Sequence, residues 1–233
     1  DCAQAHGGEF DGKKVGSFGD IGCFSFFGNK IITTGEGGMC ITNNGALAKK
    51  IRTLRDHGMS SRRKYWHNVV GYNYRMTNLQ ASIGIAQLER IEELLKTREG
   101  LEQLYLTGLK DVDWLSPQPY DLKKRKKVVW YVNFSVNKKV PSRDDLIRVL
   151  KKRKIEACPF FPPLSKMKIY RNFAREKCNV ANSVAKSGIS LPTNLNLSEE
   201  DYKRIISIIK NEGRPEPRQE GIEGDKICQS NIS

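Results

Sequence analysis

Ser25-Phe-Phe-Gly-Asn-Lys30-Ile-Ile-Thr-Thr-Gly-Glu-Gly-Gly38 is the stretch on which the reading of the fold turns. A lysine stands just past a run of β-prone aromatics and is followed by two hydroxyls and three glycines. That places an amine in a loop whose backbone turns tightly and offers N–H donors. Such a lysine can form a Schiff base if its surroundings lower its pKa, and Ser25 can donate to a phosphate. The same residues also read as a surface lysine in a glycine turn.

Working outward, residues 21–27 are expected to form a strand, 39–42 a second one, and Asn43-Asn-Gly45 leads into a helix over 46–57. Residues 58–76 are polar and aromatic without a period and read as a functional loop. Thr77 is a candidate N-cap for a helix through Leu79, Ile83, Ala86, Leu88, Ile91 and Leu95, continuing past Leu109 with a bend near Gly100. Beyond it, 128–136 is expected as a strand, 142–153 as a helix and 155–158 as a strand. Ser198, with Asp201 three residues later, starts a final helix. Asp1 to His6 reads as the end of a strand running into a helix, so an upstream part is expected to be missing. The tail 213–233 is polar, with proline and glycine, and is expected to be disordered.

The chain has 233 residues, 38% hydrophobic and 28% charged, enough to bury a core, and no run suited to crossing a bilayer. Its six cysteines are dispersed without a Cys-x-x-Cys pair, which suggests reduced thiols in a cytoplasm. The formal net charge of +14 raises nucleic acid as a partner. However, residues 122–175 hold 17 Lys plus Arg against 3 acids, and the rest of the chain balances at 23 of each. The runs Lys123-Lys-Arg-Lys-Lys127 and Lys151-Lys-Arg-Lys154 flank regular elements, which favours solvated faces over a polyanion stripe. Trp130, Tyr131 and Phe134 read as strand core.

Four motifs stand in order: Asp1-Cys-Ala-Gln4-Ala-His6; Gly16-Ser-Phe-Gly-Asp-Ile-Gly-Cys-Phe-Ser25 running on through Lys30 to Gly38; Leu54-Arg-Asp-His-Gly58; and Gly71-Tyr-Asn-Tyr-Arg-Met-Thr-Asn-Leu-Gln-Ala81. Together they resemble the DegT/DnrJ/EryC1/StrS family of sugar-nucleotide aminotransferases. The resemblance runs from residue 1 to about 212. The Lys64-Tyr-Trp-His67 wording, with the motif after it, is most similar to the GDP-perosamine synthase branch.

The resemblance implies an α/β fold: the C-terminal portion of a pyridoxal-phosphate-dependent transferase of fold type I. The large mixed-sheet domain would fill 1–95, and a small α+β domain 96–212. It implies pyridoxal 5′-phosphate as cofactor, with Lys30 as covalent anchor and proton shuttle, Asp1 facing the pyridine nitrogen, Gln4 at the ring face or phenolic oxygen and Ser25 on the phosphate. Asn73 would reach the phosphate of the neighbouring subunit's cofactor, making a homodimer with a shared active site. Trp66, His67 and Arg75 would contact the nucleotide sugar, with His67 donating to a hexose hydroxyl. Residue by residue, Asn73 also reads as a helix cap, Gln4 as a solvated helix residue, and the aromatic loop as a surface packed on a partner subunit.

A lysine at position 30 favours amino transfer, because relatives that dehydrate at C3 carry histidine there. The implied reaction is amino transfer from glutamate to a nucleotide-linked 4-keto-6-deoxy sugar for surface polysaccharide, in a cytoplasmic enzyme without metal, nucleic-acid or membrane partners. The alternatives are a catalytically incomplete family fragment and a basic nucleic-acid-binding module. The chain by itself is expected to be inactive.

Overall fold

In a computed structural model, residues 1–119, 123–137, 142–174 and 176–212 are described. The tail assigned to 213–233 lies outside them. Residues 1–8 make successive turns, with Ala5 N donating to Cys2 O and Gly8 N to Ala5 O, where a helix was expected. β1 (Glu9–Phe10) and β2 (Lys13–Lys14) pair antiparallel, as do β3 (Gly22–Ser25) and β4 (Gly38–Ile41). α1 (Gly45–Arg55) begins at Asn44, whose side chain accepts from Ala46 N and Leu47 N.

α2 (Asn78–Glu89) starts at Thr77 with the reciprocal Thr77/Gln80 capping box. It ends at Arg90, where α3 (Ile91–Gly108) begins. The break therefore lies ten residues before the bend expected at Gly100. Arg90 has left helical geometry and its guanidinium bonds both Glu93 oxygens, favourable acids for the first turn of α3. Gly100 has open space where a Cβ would sit and simply continues the helix.

Next come β5 (Leu115–Pro117), β6 (Arg125–Lys126), β7 (Val132–Val136), α4 (Arg143–Lys152), β8 (Cys158–Pro159), α5 (Asn179–Ser187), β9 (Gly188–Leu191) and α6 (Glu199–Glu212). β7 starts four residues later than expected: Val128 and Trp130 pack against the cluster of Ile31, Ile32 and Leu95, and the Trp130 carbonyl is taken by Arg98 and Thr193 rather than by a neighbouring strand. In β7 Val132, Phe134 and Val136 are buried while Asn133 and Ser135 are half-buried, the period-two pattern of a strand with one face on a core. An antiparallel sheet of order β5-β7-β9-β8 results. β8 pairs at 158–159, just beyond the strand expected over 155–158, and α5 and β9 were not foreseen.

Two apolar clusters differ sharply in size. Eighteen buried side chains, among them Tyr105, Leu146, Leu150, Ile189, Tyr202 and Ile209, join the sheet to α3, α4 and α6. The other cluster holds three, Ile31, Ile32 and Leu95, with Phe26, Ile91, Leu94, Val128 and Trp130 against them. α3 belongs to both: Leu95 to the small cluster, Leu101 through Leu109 to the large one. α2 has no buried residue, and Leu79, Ile83, Ile85 and Leu88 on it are exposed. Among the described residues no helix is long and apolar enough to cross a membrane.

Candidate active site

Lys30 sits on a loop closed by its own backbone. Phe26 N donates to Gly37 O at 2.9 Å, Thr34 N to Phe26 O at 2.9 Å, and Lys30 N to Phe27 O at 3.0 Å. The Thr33 hydroxyl donates to Phe26 O and accepts from Gly35 N. Gly37 has φ +149, and a Cβ there would lie 2.6 Å from Thr34 Oγ1 and 2.8 Å from Met76 Cε. The two residues after Lys30 are buried against Leu95, so the loop is pinned from below while the lysine side chain remains half-buried above it.

The Lys30 amine lies 4.2 Å from the centroid of the Trp130 ring. Burial lowers its pKa, the direction an amine nucleophile needs, while the indole face attracts the cation in the opposite sense. Trp130 is itself tied down. Its Nε1 donates to Asn29 O at 2.7 Å, its carbonyl accepts from Arg98 Nη1 at 3.0 Å and Thr193 Oγ1 at 2.9 Å, and Phe161 stacks on it at 6.4 Å. Read as strand core, Trp130 instead precedes β7 and joins the lysine loop to the C-terminal sheet. The Phe160-Phe161 pair splits: Phe160 packs on Gly188, and Phe161 is 71% exposed over Trp130.

His6 was not foreseen as part of this region. It is 3% exposed, packs against Phe24 and Phe26 at 5.5 and 5.8 Å, and has no hydrogen-bond partner in good geometry at either ring nitrogen. Burial first, then the Lys30 charge, hold it below the usual imidazole range, with the Ser25 backbone opposing. It is therefore a neutral imidazole beside Lys30 and Ser25. The signal available in the sequence was its place in the Asp1–His6 motif.

Asp1 and Gln4 lie on the turns before β1, beside the strand that carries Ser25. Cys2 N donates to Cys23 O at 2.8 Å, which lays the first residues along β3. Asp1 Oδ1 accepts from Ala3 N at 2.9 Å, and Gln4 is exposed on a turn. Ser25 Oγ accepts from Phe27 N at 3.3 Å, so the hydroxyl proton remains to be donated.

Trp66, His67, Asn73 and Arg75 form a second group on the loop after α1. The bridges Asp56↔Asn73 and Met59↔His67 fold that loop back on itself. Gly58, at φ +68, permits the crossing: a Cβ there would meet Val69 O at 1.9 Å. Arg75 pairs with Asp56 at 3.4 Å, and Trp66 stacks on the Arg63 guanidinium at 4.5 Å. His67 Nδ1 is 2.8 Å from the His57 carbonyl. A carbonyl only accepts, so Nδ1 carries a proton and donates it. Asn73 does not cap α2, since Thr77 does. Met76, against position 37, and Gln80, whose Nε2 donates to Glu36 O at 3.1 Å, join this loop to the lysine loop.

The basic run is not merely solvated. Arg125 and Lys126 form β6 on β1, and Lys124, Lys126 and Lys127 face Asp11, Glu9 and Glu102. The Glu102 side chain is 3% exposed, so its pair with Lys127 is the consequential one, whereas the exposed Lys124–Asp11 contact contributes little. Gln4, Phe10, Arg125, Lys126 and Trp130 line a cleft of about 430 Å³ between the first turns and this run.

Residues 1–210 match the sequence profile of the DegT/DnrJ/EryC1/StrS aminotransferase family. The chain belongs to that family. It is 42% identical over 210 residues to a GDP-perosamine synthase of Caulobacter vibrioides, covering 90% of this chain and 57% of the relative. The fold superposes on Helicobacter pylori PseC, an aminotransferase of pseudoaminic acid biosynthesis, with TM-score 0.81 and 29% identity, over 90% of this chain and 57% of that one. It also superposes on the PLP form of a sugar aminotransferase from Streptococcus pneumoniae, with TM-score 0.79 and 26% identity, over 90% and 56%. The chain thus has a mixed α/β fold of the type I class and spans a little over half the length of the relatives it matches.

Proposed function

We propose that this chain carries the lysine-bearing part of a pyridoxal-phosphate-dependent sugar-nucleotide aminotransferase. The acceptor is a nucleotide-linked 4-keto-6-deoxy sugar, glutamate is the donor, and the use is surface-polysaccharide synthesis in the cytoplasm. The observation that carries this is Lys30: a half-buried amine with a lowered pKa on a pinned loop, inside the family's motif. Its neighbours fit the cofactor. Ser25 keeps a free hydroxyl proton for a phosphate, Asp1 commits Oδ1 to the chain and leaves Oδ2 for a ring nitrogen, and Gln4 is exposed in a cleft that Trp130 also lines.

When bound, pyridoxal phosphate supplies an electron-withdrawing ring that stabilises negative charge at the carbon losing its proton. Lys30 Nζ would anchor it, and as a free amine would be the base that takes and returns that proton. The Asp1 carboxylate would keep the ring nitrogen of a bound cofactor protonated. Neutral His6 adds no positive charge beside the amine, and Trp130 with Phe161 screens it from water. Trp66, His67 and Arg75 take the nucleotide sugar: Arg75 is exposed and holds Asp56 through one nitrogen, which leaves donors for a diphosphate.

The apolar face of α2 supports a homodimer, with Asn73 directed to the partner's cofactor phosphate. The division into 1–95 and 96–212 is supported by the change of cluster along α3. The test is the complete enzyme that contains this chain, with pyridoxal phosphate, glutamate and a panel of nucleotide 4-keto sugars. 2-Oxoglutarate released in step with an amino sugar supports the reading; no amino sugar from any acceptor while the protein binds cofactor contradicts it.

A further inference from the structure

The β3–β4 pair holds two sulfurs that the transfer reaction does not use. Cys23 and Cys40 are register partners on antiparallel strands, with Sγ atoms 4.0 Å apart. The Cys23 carbonyl accepts from Cys2 N, on the side of β3 away from β4, whereas Phe26 N donates across to Gly37 O. Backbone polar groups of residues 24 and 26 therefore point at the partner strand, and those of Cys23 point away. Cys23 and Cys40 form a non-hydrogen-bonded pair, the position where antiparallel strands bring Cα atoms to about 4.5 Å and side chains closest. That separation lies within the roughly 4.4–6.8 Å that a disulfide spans, so side-chain rotation suffices to join the sulfurs.

We propose that Cys23 and Cys40 are a reversible disulfide-forming site, closed by a peroxide and reopened by a thiol reductant. In closing, each thiol gives up its proton and the pair gives up two electrons as the Sγ–Sγ bond forms. The peroxide takes both electrons and both protons, its O–O bond breaking to two hydroxyl-bearing products, water among them. The ring so closed contains Ser25 and Lys30, so the bond clasps the base of the lysine loop without either sulfur touching the amine. Burial, and then the Cys23 sulfur, push the Cys40 thiol up, which keeps Cys40 a thiol at neutral pH. Cys2, although bonded to Cys23 through its backbone, is buried with its sulfur beside position 16. The proposal is independent of the transferase reading.

Trypsin separates the two sulfurs, since Cys23 lies in peptide 15–30 and Cys40 in peptide 31–49. The full protein is treated with hydrogen peroxide, alkylated, and digested without reductant. The expected result is a linked 15–30/31–49 species that dithiothreitol releases, and its absence from Cys40→Ser. Both cysteines recovered fully alkylated after oxidation, or Cys23 linked to Cys2, overturns the proposal. If Cys40→Ser does not fold, the wild-type linkage map still decides.

Discussion

The two halves of the chain hold themselves together in different ways. The C-terminal sheet and its helices close over eighteen buried side chains, while the lysine region rests on three and is organised by hydrogen bonds within its loops. The first arrangement gives stability by area removed from water. The second fixes the position of an amine, a proton donor and a carboxylate while leaving an apolar helix face and polar atoms uncovered. Within this chain, most of the buried apolar area and the proposed chemistry lie in different segments, and Trp130 is the point where they meet.

The sharpest break in that comparison is Lys30→Ala. Amino transfer by the complete enzyme should fall by about 10³-fold or more, with melting temperature almost unchanged, because the side chain is a chemical group and not a packing one. Steady-state kinetics and a thermal melt read the two outcomes together. The mirror image is Leu146→Ala, fully buried in the large cluster. Urea titration should show a loss of about 3 kcal/mol, against roughly 0.5 kcal/mol or less for Val180→Ala at an exposed position of α5.

Legibility in the sequence follows the same division. Capped and amphipathic elements were readable because their determinants are local: Thr77 with Gln80, Ser142 with Asp145, Ser198 with Asp201. The lysine loop was readable from its motif. The role of Trp130 was not, because Asn29, Arg98 and Thr193 lie far from it in sequence and only the fold brings them to it. His6 was missed because an apolar neighbourhood cannot be inferred from a turn sequence. The pairing of Lys126 and Lys127 with Glu9 and Glu102 was hidden for the same reason: long-range charge partners leave no periodic trace.

Smaller changes sharpen the comparison. Trp130→Phe keeps most of the ring but removes the bond to Asn29. It should cost about 1 kcal/mol in denaturant titration and speed labelling of Lys30 by an amine reagent. Thr77→Ala should cost about 1 kcal/mol by deleting the cap of α2, measured the same way.

His6 gives the weakest effect. Its folded pKa lies below the unfolded value, so the unfolded chain binds more protons as pH falls through the imidazole range. Stability is therefore complete above about 6.5 and declines below it until the folded pKa is reached. His6→Phe should remove that part of the acid slope in thermal melts taken between neutral and mildly acidic pH.

The central claim is that Lys30 is the amine that holds the cofactor. Borohydride reduction of the protein with pyridoxal phosphate, followed by tryptic mapping, tests it directly. The account predicts one modified lysine, blocking cleavage after residue 30 and yielding peptide 15–49 with the cofactor's mass. Normal cleavage after Lys30, with label elsewhere or spread over the basic run, would contradict it.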